Sequence, residues 1–290
     1  MPFEGWLVRE RGSDVVWMVR GYEHPTDRLI VIPYRGHHWT SRQTLSRLEY
    51  LSCVGRTAYT LYRNGAIPLD PSEAFRRTRL PEQIRELTDV MGPEWIGLTG
   101  SYALGMQRPG SDVDLLVYSS RPPAIYDALR DLKRSGLVYD CDQGQRFAKE
   151  KSSFTRSEFL VLHPLKLLDS CYKGVPYTIR VLRAIDEKPC TSEFRPLGWI
   201  TALGEIGPME PYLTPAIYEF RAEGAGSYML ISWRTRYQEL PPGKYMVRGL
   251  VQRDEINGPL YIVPDLGGYV KPLEVRARQR CDAEERANRG

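Results

Sequence analysis

The sequence predicts an α+β protein, with helices and strands mixed at its centre and strands dominating both ends. Three observations carry that prediction. The middle of the chain reads as helix, strand, Gly-Ser turn, Asp-x-Asp strand, helix. Residues 1 to about 70 carry short strand-like runs joined by turn residues. From about residue 196 onward, alternating runs are punctuated by Pro-Pro-Gly and Asn-Gly-Pro. The expected organisation is a small β-rich region over 1–70, a mixed unit over 71–195, and a β-rich, barrel-like unit with a charged tail over 196–290.

Element by element, Val15 to Val19 and Leu29 to Ile32 read as strands linked by the turn around His24-Pro25. A ligand role for His24, His37 or His38 competes with the commoner case of a loop histidine bonded to its own backbone. Thr44 to Tyr62 carries apolar residues at mixed spacing and is expected as a helix with a hinge at Gly55. Pro81 to Met91 is a clearer helix. Leu80, Ile84, Leu87 and Met91 fall on one face, which should be buried. Trp95 to Thr99 and Leu115 to Tyr118 read as strands, and Pro122 to Arg134 as a helix ended by Gly136. Phe147 to Leu168 is expected as one or two helices broken near His163-Pro164, which makes His163 structural. Val175 to Leu182 follows as a strand after the turn at Lys173-Gly174.

The chemistry concentrates in Trp95 to Tyr118. Gly100 has no Cβ, so its backbone can take a positive φ and approach an anion closely. Ser101 adds a hydroxyl, and N–H groups at such a turn favour phosphate. Asp112 and Asp114, two apart at the start of a strand, face one side of the sheet. Two close carboxylates repel unless a cation lies between them, and hard oxygen ligands suit magnesium or manganese carried with substrate phosphates. Asp112 and Asp114 are therefore the candidate catalytic and metal-binding residues. Gly100, Ser101, Ser111 and Arg180 form the candidate nucleotide-binding set. For Arg180 an alternative stays open, in which it pairs with Asp112 or Asp114 or points to solvent.

Thr99 to Val117 resembles the signature of the nucleotidyltransferase superfamily typified by DNA polymerase beta. The resemblance implies a central nucleotidyltransferase fold, a mixed sheet flanked by helices. It implies that Gly100 and Ser101 contact a nucleoside triphosphate and that Asp112 and Asp114 bind magnesium. A wider likeness, over Val19 to Pro25, Leu29 to Tyr34, Thr214 to Tyr218, Ser232 to Arg234 and Gly243 to Gly249, is similar to an archaeal group of predicted nucleotidyltransferases. Active members of the superfamily usually add a third carboxylate on a later strand. Here that strand, Val175 to Leu182, carries Thr178 and Arg180 instead. Asp140, Asp142, Asp169, Asp186 and Glu187 are nearby in sequence, and none stands in an obvious strand position.

Two functions follow. One is metal-dependent transfer of a nucleotidyl group from a nucleoside triphosphate to an acceptor hydroxyl on RNA, protein or a small molecule. The alternative is a catalytically impaired nucleotide- or RNA-binding protein that keeps the fold. Arg234, Arg236 and Arg248, interleaved with Tyr228, Trp233 and Tyr237, could form a face for single-stranded nucleic acid; the competing expectation is that the aromatics fill a core. A net charge of +4 does not demand nucleic acid, although arginine outnumbers lysine. No run of eighteen apolar residues suggests a membrane span, and the start lacks the regions of a secretory leader, so a cytoplasmic location is expected. The five cysteines, odd in number and scattered, are expected as free thiols without zinc-ligand spacing.

Overall fold

A computed structural model of the chain describes residues 2–34, 45–141, 143–150 and 154–275. His37, His38, Asp142, Cys281 and most of the expected tail lie outside the described residues. Three larger sheets organise the rest, together with a two-stranded ribbon.

The first sheet has six strands, in the order Ser46–Leu51, Arg56–Tyr62, Arg28–Pro33, Val16–Val19, Leu7–Glu10 and Ala66–Leu69, each antiparallel to its neighbour. Val8, Trp17, Val19, Leu29, Val31 and Leu61 pack together within it. The helix expected over Thr44 to Tyr62 is thus a hairpin. Its reason is local: Gly55 takes φ 60° after the turn Ser52–Val54 and reverses the chain. The run that follows is rich in threonine and tyrosine, which suit a strand better than a helix.

The central sheet runs Val138–Tyr139, Asp169–Tyr172, Val175–Leu182, Val113–Tyr118, Trp95–Thr99. Only the pair Val113–Tyr118 and Val175–Leu182 is parallel along this path. Val113, Leu115 and Val117 register with Tyr177, Ile179 and Val181, and all six are fully buried on one face. The helices Glu82–Met91 and Pro122–Arg134 cover that face. Leu80, Ile84, Leu87 and Met91 are buried as their spacing predicts, each side chain contributing about 1.5–3 kcal/mol over an exposed one. Gly92 caps the first helix at φ 56°, and Gly136 follows the second at φ 76°.

The third sheet is built from Phe194–Glu210, Ala216–Ala222, Gly226–Ser232, Leu260–Val263, Gly243–Asp254 and Tyr269–Val275. Tyr218, Phe220, Leu230, Tyr245, Val247 and Ile262 fill its core, joined by Phe159 of the helix Arg156–Leu162. Of the two expectations for these aromatics, core filling describes Tyr237 and Tyr228. Tyr237 is buried, Tyr228 packs against the core, and Arg234 donates to the Asp265 carbonyl at 2.6 Å. Arg248 lies instead over Trp199, 5.9 Å from the ring centroid.

The cysteines are also corrected. Cys53 is bonded to Cys190 and Cys141 to Cys171, with Cα–Cα distances of 5.5 and 5.6 Å. Residue spacing could not reveal this, because each pair is brought together by strand packing rather than by sequence. No helix among the described residues is long and apolar enough to cross a membrane.

Candidate functional site

The face of the central sheet opposite its helices carries the candidate residues. Register places Thr99 beside Asp114, Asp114 beside Thr178, and Thr178 beside Asp169. Four strands therefore present Thr99, Asp114, Thr178 and Asp169 in one row, with Asp112 one step along the same face. The alternation that buries Val113 and Leu115 is what turns Asp112 and Asp114 outward, where both are half-buried.

Gly100 opens the short helix Gly100–Ala103 with φ 71°. A Cβ built there would lie 2.0 Å from Oδ2 of Asp114. The turn and the carboxylate thus occupy the same small space, which only glycine allows. Ser101 is half-buried beside it, and its carbonyl accepts from the Met106 N–H at 2.9 Å, folding back the loop. The Ser111 hydroxyl accepts from the Arg108 N–H at 2.9 Å, so this side chain closes the turn that delivers Asp112.

The Thr178 hydroxyl lies 3.3 Å from Asp112 Oδ2 and 3.2 Å from Asp169 Oδ1. It has one proton and donates to one of them at a time, bridging the two acids. Asp169 is the carboxylate that sequence reasoning passed over. It opens the strand Asp169–Tyr172, and only the cross-strand register to Thr178 brings it into the row. It is ion-paired with the buried Arg146. Behind it sits buried His163, stacked on Phe159 at 4.6 Å, with Nδ1 2.7 Å from Asp140 Oδ1 and Nε2 3.7 Å from Asp169 Oδ2. Burial lowers the pKa of His163 despite Asp140. The structural reading of His163 therefore gains specific partners.

Arg180 meets neither Asp112 nor Asp114 in an ion pair. Its guanidinium reaches Glu4 Oε1 at 3.2 Å, and Arg20 reaches the same oxygen at 2.7 Å. Glu4 is fully buried, also accepts the Gly21 N–H at 2.6 Å, and belongs to a segment lying on the outward face of the sheet. Neighbouring Gly5 accepts the Thr99 hydroxyl at 2.8 Å, and Phe3 packs with Leu116 and Leu182. Two guanidinium groups share this one carboxylate, and the charge of Asp114 also acts on Arg180. Tyr34, from the first sheet, is also close: its pKa is raised by burial first and then by the charges of Asp114 and Asp112.

Asp112 and Asp114 offer carboxylate oxygens on one face, the hard ligand type that a divalent cation takes, and glycine at position 100 lets Asp114 seat against the turn. Among the described residues, no group of three His, Cys, Asp or Glu side chains is gathered to hold a metal ion.

Residues 79–164 match the nucleotidyltransferase domain family. This part of the chain is similar to nucleotidyltransferase domains. The match includes the Gly-Ser turn, the Asp-x-Asp strand and Arg146, and stops before Asp169 and Thr178. It supports nucleotidyl transfer as the general activity and a nucleotide as substrate. Neither a curated protein nor a solved structure matches the chain.

Proposed function

We propose that the chain moves a nucleotidyl group from a nucleoside triphosphate to an acceptor hydroxyl, using magnesium or manganese. The observation that carries this reading is the seating of Asp114 against Gly100, where the turn and the carboxylate share a space closed to any side chain. In this reading Asp112 and Asp114 hold the divalent ion, which when bound neutralises phosphate charge and polarises the phosphoryl oxygens. Gly100 and Ser101 offer the turn to the triphosphate, and Ser111 fixes the loop leading to Asp112. Arg180 and Arg20, sharing Glu4, supply the guanidinium groups that draw the phosphates in. The acceptor hydroxyl gives up its proton to solvent as its oxygen bonds to the α-phosphorus, and pyrophosphate leaves with the bridging oxygen. Positioning and charge compensation supply most of the catalysis.

The three sheets support treating 1–70, 71–195 and 196–290 as separate units. The pairing of Phe194–Glu210 on both its edges supports a barrel-like C-terminal unit.

The test is incubation of the intact chain with each labelled nucleoside triphosphate, magnesium or manganese, and a mixture of RNA and protein acceptors. Wild type should transfer label, and Asp112→Ala/Asp114→Ala should not. Identical behaviour of the two, in transfer and in triphosphate binding, sinks the proposal. A second reading, a nucleotide- or RNA-binding protein without turnover, is favoured by one observation: Thr178 stands beside Asp114 and the nearby acid is tied to Arg146. It is the outcome if wild type binds triphosphate but transfers nothing.

A further inference from the structure

The buried guanidinium of Arg146 has no part in the reaction as proposed, yet it sits against the acids of the site. Arg146 is 7% exposed and lies on the helix Gln143–Glu150. It pairs with Asp169 and donates to the carbonyls of Ser170 at 2.9 Å and Tyr177 at 3.5 Å. Those carbonyls belong to adjacent strands, so the cation is locked to the sheet rather than free to swing. Burial pulls its pKa down, while Asp112 foremost, then Asp140, and Asp114 favour its charge. A guanidinium stays protonated in proteins, so this is a permanent positive charge.

We propose that Arg146 is a built-in cation standing in for a second metal ion, so that the site takes a single divalent ion, on Asp112 and Asp114. The inference rests on the nucleotidyl-transfer reading above and specifies its metal requirement. A second ion would need a further anionic ligand beside the pair. Thr178 offers only a neutral hydroxyl, already directed at Asp112 or Asp169. Asp169 turns one oxygen to Thr178 and its other towards His163, with Arg146 paired to the carboxylate. Its charge is spent on the guanidinium. The fixed cation costs no capture of an ion from solution and occupies Asp169, the further acid of the row, before nucleotide arrives.

The test counts manganese by the electron paramagnetic resonance signal of the free ion. Manganese is titrated into the intact chain carrying an equimolar non-hydrolysable nucleoside triphosphate, with the nucleotide alone as blank. One manganese per chain–nucleotide complex is expected. Two overturn the role of Arg146 while leaving nucleotidyl transfer standing. Failure to bind nucleotide and manganese at all overturns both.

Arg146→Met should raise the count to two by releasing Asp169, and an unchanged count of one in a folded variant counts against the proposal. If that variant does not fold, Asp169→Asn decides. As a side chain outside the metal's ligands, it should cost at most about 10–100-fold in manganese affinity, and clearly less than Asp112→Asn does. Equal losses for the two variants would make Asp169 a ligand and overturn the proposal.

Discussion

At Gly100 a single hydrogen separates the turn from Asp114. Gly100→Ala would force a Cβ to within 2.0 Å of Asp114 Oδ2 while keeping φ at 71°. The backbone cost is about 1–3 kcal/mol, and Asp114 must also move. Manganese and triphosphate binding should each weaken by more than about tenfold, as expected when about 1.4 kcal/mol or more is lost at the ion. Calorimetric titration of the variant, with circular dichroism confirming the fold, checks this; unchanged affinity would remove Gly100 from the site. This residue was legible from sequence because glycine before a serine that stands eleven residues ahead of Asp112 is a local pattern. Asp169 was not, because nothing local distinguishes it from Asp140 or Asp186. Its place is set by register to Thr178 across a hairpin. For Arg180 the partner Glu4 was not legible, because it arrives from 176 residues away.

His24 gives the residue scale a pH signature. It is fully buried, its Nδ1 accepts the Ile30 N–H at 3.1 Å, and burial, reinforced by the charge of Arg63, lowers its pKa to about 4. A histidine whose folded pKa is depressed costs nothing above its unfolded value of about 6.5. As pH falls from there towards 4, the unfolded chain takes up a proton that the folded chain refuses, and stability declines. The shift corresponds to about 3 kcal/mol over that window. His24→Asn keeps an acceptor for Ile30 and removes the titration. Urea unfolding across pH 4–6.5 should show a shallower decline in the variant, and parallel curves would count against the assignment.

At the scale of elements, strongly periodic segments were legible and short irregular ones were not. The helices Glu82–Met91 and Pro122–Arg134 announce themselves by apolar spacing and a terminal glycine. The hairpin through Gly55 does not, because its apolar residues fall at mixed spacing and its second strand also pairs with Arg28–Pro33, earlier in the chain. The strand Asp169–Tyr172 illustrates a further dependence, on a neighbour from the third sheet's region. Glu239 accepts the N–H groups of Leu167 at 2.8 Å and Leu168 at 3.1 Å, fixing the chain just before Asp169. Its carboxylate is buried, which raises its pKa. Glu239→Ala strands both donors, at a cost of about 2–4 kcal/mol. Hydrogen exchange at Leu167 and Leu168 should accelerate selectively, together with weaker triphosphate binding. Uniform acceleration across the sheet would show global destabilisation rather than loss of this anchor.

For the whole molecule, the three sheets are held together mainly by contacts that no sequence window contains. Glu23–His24 pairs with Lys188–Pro189, Arg63 reaches Glu187 at 3.0 Å, and Gln252 donates to the carbonyls of Val54 and Gly55 at 3.0 and 2.9 Å. Gly55 is pressed against Phe194 so closely that a Cβ would lie 2.7 Å from the Phe194 Cβ. The Cys53–Cys190 bridge closes this seam across 137 residues, whereas Cys141–Cys171 spans 30 within the central unit. Longer closed loops restrict the unfolded chain more, so the chain-entropy ceiling is about 5 kcal/mol for the first bridge and about 3.6 for the second. Replacing Cys53 and Cys190 together by Ala should therefore lower the melting temperature by roughly 5–15 °C, and more than the Cys141→Ala/Cys171→Ala pair does. A dithiol reductant should lower wild type towards the double variants and leave a chain lacking both bridges unmoved. Should the central pair prove the costlier to remove, stability would reside in the central sheet rather than in the seam that joins the sheets.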